Sequence, residues 1–168
     1  MRVEQWLGAV RARVVWLTLI VAWLLSFVVT VRATVWLDWV ALVLLFWTVY
    51  QPARISLVLA FVVGILIDVQ QASILGEHAL LYVWGIALMQ ALASRLQFSS
   101  VFVHALYGTG VLLLMQVMRA LGHAVFLGEF DNLAGLVWVL LGVVAWMLLA
   151  TVLHKSARSN AVGAWVSK

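Results

Sequence analysis

Residues 35–69 read VWLDWVALVLLFWTVYQPARISLVLAFVVGILIDV. Two apolar runs, 35–50 and 55–69, flank the segment Gln51-Pro52-Ala53-Arg54, which holds the only proline of the chain. Proline has no N–H to give to a helical ladder, so one helix ends here and the next begins across a tight turn. Each run carries one acid: Asp38 near the start of the first and Asp68 near the far end of the second.

The same pattern extends outward in both directions. Residues 14–31 form a run uninterrupted by charge, longer than the roughly 7–15 residues of a signal-peptide core, so Val31-Arg32-Ala33 reads as part of an uncleaved anchor. After Asp68 come a short polar loop (Gln70, Gln71, Ser73, Gly76, Glu77, His78) and a fourth run over 79–93. Arg95 and Gln97 make the next turn. A fifth run covers 101–126 and contains Arg119; Gly128 to Asn132 form a loop; a sixth run covers 133–153. Residues 1–13 place Val3, Trp6, Leu7 and Val10 at helical spacing among Arg2, Arg11 and Arg13. That segment reads either as an amphipathic helix on an anionic leaflet or as a frayed basic tail. Residues 154–168 form a short polar tail.

A spanning helix needs about 20 apolar residues, and six such runs leave only loops and tails. The composition agrees: 67 % of the 168 residues are hydrophobic and 10 % are charged, against roughly 25 % charged in a soluble domain. The expected fold is therefore all-α, a polytopic transmembrane bundle over 14–153, with cytoplasmic segments at 1–13 and 154–168. Eight of the ten Lys and Arg fall on one side of that arrangement, and five of the acids fall on or near the other. By the positive-inside rule both termini are cytoplasmic. The net charge of +4 thus marks a membrane face and implies no nucleic-acid partner.

Candidate functional residues follow from the cost of charge inside a membrane, at least about 2.5–3.5 kcal/mol at a helix centre. Asp68 lies on one helical stripe with Ala60 and Gly64, whose small side chains admit a second backbone. Gln116, Arg119 and His123 form another stripe below Gly108 and Leu112. Asp68 reads as a solvated helix end, as a structural partner in an ion pair or polar lock, or as a residue of proton or ion translocation. Arg119 reads either as a snorkelling side chain or as the partner of Asp68. Cysteine is absent, which excludes disulfides and thiolate chemistry. His78, His104, His123 and His154 show no metal-ligand spacing, and no nucleophile motif or second catalytic aspartate accompanies Asp68. No catalytic, metal or cofactor site is expected.

Residues 39–82 resemble the rod shape-determining protein MreD family of Gram-negative bacteria. The resemblance rests on Pro52 and Arg54 in the turn, Gly64 and Asp68 in the following helix, and Leu75-Gly76 with Ala79-Leu80 after the loop. Size, span number and basic termini agree along the rest. Ala60 and Ala72 stand where the family usually has glycine, and Leu37-Asp38 replaces a common proline-containing entry to the second span. The resemblance implies a non-enzymatic scaffold of the peptidoglycan elongation machinery, acting with MreC, MreB, RodA and a class B penicillin-binding transpeptidase. It also implies a fold shared with the S-components of vitamin transporters, although a shared fold does not transfer a substrate. The rival reading is a small-solute transporter or S-component-like protein, for which Ala22-x-x-x-Ser26 is a candidate docking pair.

Overall fold

The structure is a computed structural model, and it describes residues 12–32, 37–96, 99–126 and 141–153. The expected N-terminal amphipathic segment, the loop at 128–132 and the C-terminal tail lie outside the described residues. The described residues are all-helical: α1 (Ala12–Arg32), α2 (Trp39–Tyr50), a 3-10 turn (Pro52–Arg54), α3 (Leu57–Gln71), α4 (Glu77–Leu96), α5 (Val101–Phe126) and α6 (Leu141–Leu153).

Local chemistry sets the boundaries. Asp38 caps α2 by accepting from the Ala41 N–H at 2.9 Å, so this helix starts at Trp39 and not at 35 as the apolar run alone implies. Gln51 closes it through its N–H to the Trp47 carbonyl, and Pro52 opens the tight turn that the sequence predicts. Ser56 then caps α3, accepting from the Leu59 N–H at 3.1 Å. Glu77 begins α4 and Leu96 ends it, with Arg95 in its last turn, extending the expected span at both ends.

At the centre is α2, surrounded by α1, α4 and α5. Val40, Leu42, Leu44, Leu45, Phe46 and Trp47 are all buried, so α2 is apolar on every side and protein covers every side. Phe46 makes the aromatic junction of the core: its ring centroid lies 5.3 Å from Trp47, 4.7 Å from Tyr50 and 5.2 Å from Trp146 of α6. Such pairs each add about 0.5–1.5 kcal/mol beyond area burial. Trp47 Nε1 donates to Thr18 Oγ1 at 2.8 Å and ties α1 to α2. Ala22 and Ser26 are buried inside the chain, so the pair considered as a transporter docking surface faces inward.

The peripheral helices differ. α3 packs chiefly on α4, and α1 on α2. Trp16, Leu17, Leu24 and Phe27 of α1 are exposed, as are Val58, Phe61 and Leu66 of α3. Among the described residues, Val101–Val125 is the one stretch long and apolar enough by itself to cross a membrane. By contrast, α2 and α3 are short helices of 12 and 15 residues. At 1.5 Å per residue α2 is about 18 Å long and α3 about 22 Å, against a hydrocarbon core of about 30 Å.

Candidate functional site

At the end of the molecule opposite Pro52, polar side chains form a belt across α2, α3, α4 and α5. It is built around the start of α4, where Glu77 and His78 are consecutive. Successive helical residues are turned by about 100°, so the two point to different neighbours: His78 toward α3, Glu77 toward α5.

On the α3 side, Ala60 and Gly64 are buried and form the close contact expected of their stripe. A Cβ on Gly64 would stand 2.3 Å from the Ala79 Cα and 2.5 Å from its nitrogen. Only hydrogen fits there. That approach brings Asp68, one turn further on, against the first turn of α4. Its side chain is fully buried. Asp68 Oδ1 accepts from Ser73 Oγ at 3.0 Å and from the His78 backbone N–H at 2.9 Å, and lies 2.7 Å from His78 Nδ1. Oδ2 accepts from the Gly76 N–H at 2.8 Å. The Asp68 carbonyl also accepts from the N–H groups of Ala72 and Ser73, ending α3. One residue therefore terminates a helix, folds the turn after it and starts the next helix.

Ala72 is in the left-handed conformation, φ 52°, and Gly76 has φ 99°. Ala72 thus occupies a helix-ending position that glycine fills without a Cβ penalty, a physical reason for the glycine common at this point in the resembling family. Leu75, between them, is 68 % exposed. Pro52 and Arg54 are exposed at the opposite end, and the structure brings neither to the belt.

The expected Asp68–Arg119 pair does not form. Arg119 Nε donates instead to Glu77 Oε1 at 2.8 Å, and His123 Nε2 lies 2.9 Å from the same oxygen. The reason is topological: α4 packs against both α3 and α5, and its own Glu77 and His78 intercept the two charges. Glu77 Oε2 is buried and has no donor among the described residues. The belt is completed by Tyr82, whose hydroxyl donates to Asp38 Oδ2 at 2.7 Å, joining α4 to the cap of α2. Asp38, Ser73, Glu77, His78 and Tyr82 are belt members that the sequence reading did not select.

The grouping of Asp68, His78 and Ser73 contains the residue types of a hydrolytic triad but lacks its geometry. A carboxylate only accepts, so His78 Nδ1 carries the proton that it gives to Asp68. Ser73 Oγ approaches that same nitrogen at 3.4 Å and donates to the carboxylate. The imidazole nitrogen facing the serine is therefore not a free base, and the serine is not activated. Among the described residues no three His, Asp or Glu side chains form a group suited to a metal ion. What this arrangement does is hold four helix ends together.

The described residues thus form a helical bundle with apolar outward faces and a buried carboxylate organising its α3–α4 turn. The family model for rod shape-determining protein MreD matches residues 10–158, and the chain belongs to that family. Neither the curated proteins nor the solved structures contain a match.

Proposed function

We propose that this chain is a multi-pass protein of the bacterial inner membrane and a non-enzymatic scaffold of the cell-elongation machinery. Its helices cross the membrane six times with both termini in the cytoplasm. It binds MreC, acts indirectly with MreB, RodA and the elongation class B penicillin-binding transpeptidase, and so supports peptidoglycan synthesis and rod shape. Membership of the rod shape-determining MreD family carries this reading.

Physical arguments support it. The outward faces of α1, α3, α5 and α6 carry exposed large apolar side chains such as Trp16, Phe61, Leu114 and Leu148. Apolar surface of that kind suits lipid or a partner's transmembrane helix. The shortness of α2 is compatible with six crossings, because α2 is enclosed by protein and has no need to match the lipid thickness. Eight of ten basic residues fall on the cytoplasmic side of this topology.

The test is controlled depletion in the native cell, with purification from membranes in parallel. Rods are expected to round into spheres, and MreC is expected to co-purify. Normal rod growth in a clean deletion without a suppressor overturns the scaffold reading. Reporter fusions after Lys168 and within 129–132 are expected on opposite sides, and an external C-terminus overturns the topology.

A further inference from the structure

The α3–α4 hairpin is inside-out relative to an ordinary surface loop. From residue 57 to residue 80, every side chain that the structure leaves exposed is apolar, through the turn as well as along the helices. Val58, Leu66 and Val69 of α3 are followed by Ile74 and Leu75 in the turn and Leu80 on α4, each at least half exposed. The polar residues that made this segment read as an aqueous loop are turned inward: Gln70, Gln71, Ser73 and Glu77 are partly buried and His78 is buried. A turn in water normally shows the reverse, polar side chains outward and backbone solvated.

Two further observations bear on where this turn lies. α3 starts at its Ser56 cap and has only 15 residues, about 22 Å. That length is shorter than a hydrocarbon layer about 30 Å thick. Four of the backbone donors at the turn are also satisfied without water: Ser73 N–H by the Asp68 carbonyl, Gly76 and His78 N–H by the Asp68 carboxylate, and Glu77 N–H by the Ile74 carbonyl. Irregular backbone is tolerated at membrane depth only where protein satisfies it in this way.

We propose that the α3–α4 turn lies within the membrane, with Ile74 and Leu75 inserted among lipid acyl chains, and that Asp68 replaces water as the turn's hydrogen-bond acceptor. The occupant of this surface is lipid because the patch continues the outward apolar strip of α3 without a break. The inference rests on the membrane-spanning reading above, and its test separates the two.

The chain has no cysteine, so single cysteines report on one site each. Ile74→Cys and Leu75→Cys replace exposed side chains and remove no core packing. Leu114→Cys, midway along α5, is the reference for lipid, and Arg54→Cys, in the opposite turn, is the reference for water. Each variant is labelled with a nitroxide and reconstituted in vesicles of phosphatidylethanolamine and phosphatidylglycerol. Collisions with molecular oxygen, enriched in lipid, are then compared with those of a water-soluble nickel chelate. The expected result is oxygen-dominated relaxation at 74 and 75, as at 114 and unlike 54. Nickel-dominated relaxation at 74 and 75, with 114 still oxygen-dominated, places the turn in water and overturns the inference while the membrane reading stands. Protection from both reagents shows a protein partner or second copy on the patch and also overturns it. Nickel-dominated relaxation at 114 overturns the membrane reading itself.

Discussion

Asp68 and Glu77 are carboxylates at the same end of one helical bundle, yet the protein binds them in opposite ways. Asp68 uses both oxygens and is surrounded by Ser73, Gly76 and His78, all within ten residues of it in sequence. Two of its donors are backbone N–H groups. Glu77 receives Arg119 and His123 on one oxygen, both from α5 and more than forty residues away. Its side chain is 12 % exposed, and that of Arg119 20 %. The first carboxylate builds a turn, whereas the second fastens two finished helices to each other. A local device completely enclosed by its own chain has nowhere to relax, but a fastening at a half-open edge does.

That contrast implies unequal costs. Asp68→Ala removes the acceptor from two backbone N–H groups, the His78 ring and the Ser73 hydroxyl at once. Breaking a buried charged arrangement from one side typically costs about 3–5 kcal/mol, and we expect a loss of that size in thermal unfolding in detergent. Asp68→Asn is expected to fall between wild type and alanine, since its amide keeps one acceptor but turns a donor toward the remaining N–H groups. A loss below about 1 kcal/mol for Asp68→Ala means that water takes over as acceptor, and the distinction between the two carboxylates then fails.

Glu77→Ala is expected to cost less. A charge-assisted hydrogen bond contributes about 1.5–3 kcal/mol, but the freed guanidinium of Arg119 can reach water or headgroups from its half-open position. A double-mutant cycle sharpens this. Glu77 and Arg119 are expected to couple by about 0.5–3 kcal/mol, whereas Asp68 and Arg119, which share no hydrogen-bond partner, add to within about 0.5 kcal/mol. Coupling between Asp68 and Arg119 of the size assigned to Glu77 and Arg119 would restore the pairing that the sequence suggests and the structure replaces.

The two carboxylates also differ in how far they could be read from sequence. The Ala60–Gly64–Asp68 stripe follows from helical periodicity, and the structure places it against α4 as small residues four apart require. The lone proline likewise marks the end of α2. Asp38 was legible in principle, because an aspartate just before an apolar run is an N-cap signal. The partner of Arg119 was not. Periodicity gives each helix a face but not the order of helices in space, and Asp68 and Glu77 were equally available at that end. Only the position of α4 between α3 and α5 decides between them. The polar loop misled for a related reason: composition counts Gln70, Gln71, Ser73 and Glu77 as polar without revealing that all are turned inward.

The smallest effect tests the local device from its weak point. Ala72 ends α3 with φ 52° and ψ 34°, a conformation that costs an L-residue about 1–2 kcal/mol. Glycine escapes this cost but loses more chain entropy on folding, about 0.5–1 kcal/mol. Ala72→Gly is therefore expected to stabilise the protein by about 0.5–1 kcal/mol, read as a rise in thermal midpoint. The gain should depend on which carboxylate is intact. In a Glu77→Ala background it should persist, because Glu77 fastens α5 and leaves the turn's backbone in place. In an Asp68→Ala background it should shrink, because a turn released from its acceptor lets Ala72 leave the left-handed region and there is less strain to relieve. An equal gain in both backgrounds would mean that α3 itself, through its last carbonyls, holds Ala72 in place. The Asp68 carboxylate would then be joining two helices, as Glu77 does, and not shaping the turn between them.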